Sequence, residues 1–297
     1  MPDGAQHDEV ALSRWRWDEN GGLGARARSE ANRCMAVEKV IAAMHDRIDR
    51  PFALEEMARI AYLSPFYFNR VFRQITGIPP GRFHTALRMA AAKRLLLTTE
   101  LSVIEVCLEV GYWSLGTFTT HFHDLVGVSP RELRRLACEH PVALAEIAGS
   151  QAWGDRDAAP VAVEGTVIGP TGGRLVFVGL FDHPYPHGRP VACTAIAGLG
   201  PYCLRTGVEG RFHLAAAAFA PSEDARGCLL PDEGSLLVAS SPVPVQLGSG
   251  RRATRPLCLR PARATDPPIL LALPLAVARD IATPDDGVRE LQGVAPV

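Results

Sequence analysis

The side chains best suited to selective chemistry in this 297-residue chain lie in one run, from Ser64 to Arg73. If Phe68, Val71, Phe72 and Ile75 form the buried face of a helix, then Phe66, Tyr67, Asn69, Arg70 and Arg73 face outward. An asparagine amide can pair bidentately with adenine and an arginine fork with guanine, each worth roughly 1–3 kcal/mol of discrimination against the wrong base. Ser64-Pro65 is a serine N-cap followed by proline at the first helical position, which places the helix start closely. Exposed aromatics beside Asn and Arg on a capped helix suit a contact surface better than a merely solvated bundle face.

That run is the second half of a pattern that occurs twice. Leu54, Met57, Ala58 and Ala61 predict a short helix before Ser64, and Gly77 caps the helix that follows. About fifty residues on, Ser102-x-x-Glu105 is a capping box opening a helix that packs through Val103, Val106, Cys107 and Val110. Gly111 permits a tight turn, Ser114 caps a helix with Phe118, Phe122 and Leu125 facing in, and Ser129-Pro130 starts another. Ahead of both copies, Val37, Val40, Ile41, Met44 and Ile48 line a first helix ending near Pro51. Between the copies, Pro79-Pro80 opens a long helix to about Leu97, with Phe83, Leu87, Ala91 and Leu95 inward. The expectation is two helix-turn-helix units able to place two helices in successive major grooves.

Composition narrows the alternatives. The net charge is −1, so a basic surface must be local; between Ala36 and Leu136, 13 Lys and Arg face 10 Asp and Glu. The seven cysteines (34, 107, 138, 193, 203, 228 and 258) are scattered and never spaced as CxxC, which argues against a disulfide framework or zinc site. Cys107 reads as a small core residue. No signal peptide or membrane span is recognisable, and a cytoplasmic location follows as an expectation.

The fold class expected is multidomain: an all-α double helix-turn-helix domain of about seven helices, then a mostly β, sandwich-like domain. Residues 1–33 read as a flexible arm in which Trp15 and Trp17 could dock, 34–140 as the helical domain, 141–159 as a linker, 160–283 as the β domain and 284–297 as a tail. After Pro141 the helical period fades, and β-prone runs appear at 161–168, 174–181, 191–197, 211–219, 236–239 and 243–247, separated by Gly and Pro turns.

Residues 36–136, about a third of the chain, resemble the AraC/XylS family of transcription regulators. Ser64-Pro-x-x-Phe-x-Arg-x-Phe72 with Gly77 matches the family's first unit, and Arg88-Met-x-x-Ala-x-x-Leu95-Leu its linker helix. Val106-x-x-Glu-Val-Gly111-Tyr-x-Ser114-x-x-x-Phe-x-x-x-Phe122 with Gly127-Val-Ser-Pro130 matches its second unit. The resemblance implies two subdomains joined by the 81–97 helix, with recognition helices about one DNA turn apart, roughly 34 Å. By matching position it assigns base reading to Phe66, Asn69 and Arg70 in the first unit and to Leu115, Gly116, Thr119 and Thr120 in the second. Here the chain departs from the family, which commonly has arginine where Thr120 stands and polar residues at Leu115 and Gly116. Leu115 and Thr119 can still touch thymine methyls. Candidates for phosphate contact are Ser64, Arg82, Arg88, Lys93, Arg94, Ser114, Thr117, His123, Arg131, Arg134 and Arg135, with Arg88 and Arg94 alternatively in structural ion pairs.

Family members usually carry the effector domain before the DNA module, whereas here about 35 residues precede it and about 160 follow. Sensing or recruitment is therefore expected in the C-terminal half. That half weakly resembles carboxypeptidase-regulatory-like or transthyretin-like sandwiches through Val163-x-Gly-x-Val167 and the Tyr202 to Ala216 run. Asp182, His183 and His187 read as a proline-broken surface loop rather than a metal cluster, and Val176, Val178, Leu180 and Phe181 as sandwich core. No G-x-S-x-G, H-E-x-x-H or P-loop occurs, so neither an enzyme nor a cofactor is expected. The reading is a regulator whose partners are double-stranded promoter DNA and RNA polymerase or a second copy of the chain. One rival is a one-component sensor with a small-molecule effector in the C-terminal domain; a remote one is an enzyme fused to a DNA-binding module.

Overall fold

A computed structural model of the chain describes residues 25–139, 151–153, 161–170, 173–220, 229–231, 234–241, 243–248 and 252–272. These divide into two compact units. The first comprises the described residues up to Arg47 together with Phe52–His84, and the second Ile48–Pro51 and the described residues from Thr85 onward.

The first unit contains α1 (Ala25–His45), α2 (Leu54–Ile60), α3 (Pro65–Thr76) and the start of α4 (Pro80–Thr98). Val37, Val40, Ile41 and Met44 of α1 are buried with Met57 and Ala58 of α2 and Phe68, Val71 and Phe72 of α3. The Phe72 ring meets Phe68 and Phe83 edge to face, with centroids 5.5 and 5.4 Å apart. The α3 helix ends where Gly77, at φ +83°, donates its N–H to the Arg73 carbonyl. Residues 25–33 belong to α1, although the sequence suggested a flexible arm there; Trp15 and Trp17 lie outside the described residues.

The second unit holds the rest of α4, then α5 (Val103–Glu109), α6 (Leu115–Val126) and α7 (Pro130–Glu139). The capping box forms as expected: Ser102 Oγ accepts from the Glu105 N–H at 3.2 Å, and the Glu105 carboxylate accepts from the Ser102 N–H at 2.7 Å. These bonds hold the Glu105 carboxyl below its ordinary pKa. The expected inner face of α4 needs correction, because Ala91 and Leu95 are only half-buried while Ala86, Met89, Ala92 and Leu96 are buried. A strict four-residue spacing overruns a 3.6-residue turn by about 40° per step, so the stripe drifts off the packed face.

The sheet strands are β1 (Gln151–Trp153), β2 (Val161–Ile168), β3 (Leu175–Phe181), β4 (Ala192–Ala197), β5 (Gly200–Thr206), β6 (Gly210–Phe219), β7 (Leu237–Ser240), β8 (Val245–Leu247), β9 (Arg252–Thr254), β10 (Leu257–Cys258) and β11 (Arg260–Pro261). A seven-stranded sheet runs β1-β4-β3-β6-β7-β11 with β8 also on β6; a four-stranded sheet runs β10-β2-β5 with β9 also on β2. Pairing is antiparallel except where β9 and β10 lie parallel to β2. Val163 and Val167 of β2, Tyr202 and Leu204 of β5, Val176, Val178 and Leu180 of β3, and Leu214 of β6 share one core, so the two sheets pack across it. Every residue of β3 is buried, as a strand covered on both faces requires.

Candidate nucleic-acid interface

The exposed side of α3 carries four of the five reading groups that the sequence singled out, while Tyr67 is half-buried. Phe66 is 83% exposed, and Asn69, Arg70 and Arg73 are exposed beside it. The Arg70 guanidinium stacks over the Tyr67 ring, 5.1 Å from its centroid, so one aromatic body braces the fork that would face a base. Bracing costs rotamer freedom before any partner arrives and so lowers the cost of binding. Ser64 occupies the N-cap position in an extended conformation, but its hydroxyl makes no capping bond and stands exposed at the tip of the helix.

The turn before α3 shows what the sequence reading missed. Tyr62 adopts φ +56°, the left-handed conformation that glycine takes at the equivalent Gly111, and its ring is 85% exposed. The Lys39 ammonium lies 5.0 Å from the Tyr62 ring centroid. Beside it a groove of about 510 Å³ runs between α1 and the turn, lined by Arg28, Asn32, Arg33, Leu63 and Tyr67. The signal for this surface was the run of arginines before Cys34, which has no apolar period but continues the first helix.

In the second unit, α6 keeps the scaffold with a plainer face. Leu115 is 40% exposed, and Gly116, Thr117, Thr120 and His123 are exposed. Thr119 is half-buried, and its hydroxyl is taken up by the Leu115 and Gly116 carbonyls at 2.9 and 3.0 Å. Ser114 caps the helix by accepting from the Thr117 N–H at 3.3 Å. Trp113, which the sequence reading passed over, stands 90% exposed in the preceding turn.

Three cations assigned to phosphate contact have other work in this structure. Lys93 is only 4% exposed; its ammonium donates to the Ile269 carbonyl at 3.0 Å, and burial lowers its pKa to about 8. Arg88 donates from Nε to the Val110 carbonyl at 2.6 Å and lies over the Tyr112 ring at 4.3 Å, so it buttresses the turn around Gly111. Arg134 donates to the Leu96 and Leu101 carbonyls at 3.1 and 2.7 Å and ties down the backbone after α4. Each is drawn to a carbonyl left open by a helix end, a turn or an extended segment, a partner that no local pattern shows. Arg82, Arg94, Arg131 and Arg135 remain exposed.

In the sheet region, Asp182 and His183 pair at 2.5 Å and the His183 and His187 rings lie 5.0 Å apart. Among the described residues no group of three or more His, Cys, Asp or Glu is placed to hold a metal ion. Cys107 and Cys193 are buried, and burial pushes the Cys193 thiol up to about 12, away from reactivity. No described helix is long and apolar enough to cross a membrane.

Two capped helix pairs, each with a left-handed turn and an exposed second helix, define a double helix-turn-helix module. Comparison with known proteins agrees: residues 57–136 match the family model described as a helix-turn-helix domain. An HTH-type transcriptional regulator from Haemophilus influenzae, itself uncharacterised, is 38% identical over 82 residues, which is 28% of this chain and 28% of that protein. The solved DNA-binding domain of AdpA, a global transcriptional factor bound to a target DNA, is 33% identical, covering 33% of this chain and 89% of that one at a TM-score of 0.32. An AraC-type regulator structure from Chromobacterium violaceum is 24% identical, covering 37% and 97% at a TM-score of 0.35. The N-terminal region of the chain therefore carries a helix-turn-helix domain. The chain spans 27–40% of the length of the first curated relatives it matches, all of them HTH-type transcriptional regulators.

Proposed function

We propose that the chain is a sequence-specific DNA-binding transcription regulator in which α3 chooses the sequence and α6 mainly holds the duplex. The carrying observation is the contrast between the two exposed faces. One offers Asn69, an Arg70 fork braced on Tyr67, Arg73 and the Phe66 ring; the other offers Leu115, Gly116 and Thr119, whose hydroxyl is already taken up. Bidentate groups separate bases by roughly 1–3 kcal/mol each, whereas a methyl contact distinguishes little beyond thymine. Ser64, Arg82, Arg94, Ser114, Thr117, His123 and Arg131 supply phosphate contacts that set register without reading sequence.

In this reading residues 34–140 are the DNA-binding domain and 160–283 a β domain for regulation or protein contact. Its partners are promoter DNA together with RNA polymerase or a second copy of the chain. The protein works in the cytoplasm and is not an enzyme. The test is a titration at fixed salt on a duplex enriched from random sequence by the full chain. Arg70→Ala should weaken that site about tenfold or more and relax its sequence preference, whereas Thr120→Ala changes affinity only a few-fold and preserves the preference. Equal losses would overturn the unequal division, and failure to enrich any sequence would overturn the reading itself.

A further inference from the structure

The C-terminal end of α6 is held by backbone from the sheet region of the same unit. The Leu125 carbonyl accepts from the Gly188 N–H at 3.0 Å, and the Val126 carbonyl accepts from the Ala272 N–H at 3.1 Å. These are last-turn carbonyls that a helix leaves without an internal partner, and distant sequence satisfies them. The approach is close enough to demand small residues. Gly188 is where this applies: it has φ +65°, and a Cβ there would lie 2.7 Å from the Asp124 carbonyl oxygen, whereas a Cβ on Gly127 would make only an ordinary contact, 3.4 Å from the Gly188 carbonyl oxygen.

The two holding segments are also joined to each other and to the neighbouring helix. The Tyr185 hydroxyl donates to the Pro268 carbonyl at 2.8 Å, and Lys93 Nζ of α4 donates to the Ile269 carbonyl at 3.0 Å. Leu270, Leu271 and Ala272 are buried along this extended stretch. Meanwhile Leu115, Gly116, Thr117 and Thr120 stay exposed at the opposite end of α6, so the hold does not cover the face that would meet DNA.

We propose that the 182–189 loop and the 268–272 segment form a clamp that sets the position of α6, with Gly188 as a positioning residue for the second half-site. Rigid docking of a recognition helix requires its far end to be fixed, and here the sheet region provides that fixing. A partner or ligand that binds the sheet differently in the clamped and released arrangements would thereby change affinity at the second half-site, by no more than its own preference between the two. The DNA consequence rests on the regulator reading above; the clamp itself does not.

The experiment is residue-resolved amide exchange on the full chain, paired with titration of the enriched duplex. Gly188→Ala should speed exchange at Ala272 at least tenfold, leave the α3 amides unchanged, and weaken binding to the duplex about tenfold through the second half-site. Tyr185→Phe, which removes one hydroxyl and adds nothing, should speed exchange at Ala272 several-fold; it decides the matter if the alanine variant fails to fold. Unchanged exchange in a folded variant overturns the clamp. Faster exchange with unchanged affinity overturns the positioning role. If the wild-type chain enriches no DNA, the positioning role falls with the regulator reading, while the exchange data still judge the clamp.

Discussion

Lys93 is buried with a backbone carbonyl as its hydrogen-bond acceptor, and replacing it with methionine tests what that burial costs. Desolvation lowers its pKa from an ordinary 10.5 to about 8. Below pH 8 both folded and unfolded chains hold the proton, and folding bears the full cost of burying the charge. Between about pH 8 and 10.5 the folded lysine has released its proton while the unfolded one keeps it, so stability contributed by this site rises with pH. Above that window the cost is gone. At about 1.4 kcal/mol per pH unit, the gap amounts to about 3 kcal/mol. Methionine fills the volume of the stem but forfeits the bond to Ile269, worth about 1 kcal/mol. Lys93→Met should therefore stabilise the chain by about 2 kcal/mol at pH 7 and lose that advantage near pH 10. Urea denaturation of both proteins at pH 7, 8.5 and 10, compared at equal m-values, reads this directly. A stability difference that does not change with pH, or a destabilised variant at pH 7, would refute the reasoning.

Two substitutions in the turns have opposite expected signs. Tyr62→Gly relieves a left-handed backbone that an L side chain adopts at a cost of about 1 kcal/mol or more, and should raise the urea midpoint although it removes a large side chain. Gly111→Ala should do the reverse by more than about 3 kcal/mol. The residue has φ +75°, and a Cβ would lie 2.3 Å from the Asp49 carbonyl oxygen and 2.6 Å from the Arg88 guanidinium. Urea denaturation of the two variants beside the wild type, followed by circular dichroism, checks both, and a tolerated alanine would show that Arg88 and the 48–51 turn can yield.

Much of the fold was legible because its signals are local. Serine caps, the capping box at Ser102, the glycine ends at Gly77 and Gly127 and the phenylalanine spacing in α3 and α6 each act within one helical turn, so sequence distance and spatial distance coincide. The main β runs were legible for the same reason, and Gly200–Thr206 was missing from them because its opening Gly200-Pro201 reads as a turn rather than a strand. Strands such as Leu257–Cys258 and Arg260–Pro261 are too short to carry a period at all.

On its own the sequence determined that the chain carries two capped helix pairs, that Asn69 and Arg70 lie on an outward face, and that the second copy offers Leu115, Gly116 and Thr120 in the matching places. Periodicity and capping are properties of neighbouring residues, and they survive any arrangement of the rest. Tertiary structure alone decided which cations are free to meet a partner. Lys93 lies 176 residues from the carbonyl it binds, Arg134 is 33 residues from Leu101, and Arg88 is 22 residues from Val110. A charged side chain goes to the nearest unsatisfied carbonyl that burial leaves it, and only the folded backbone says where that carbonyl is.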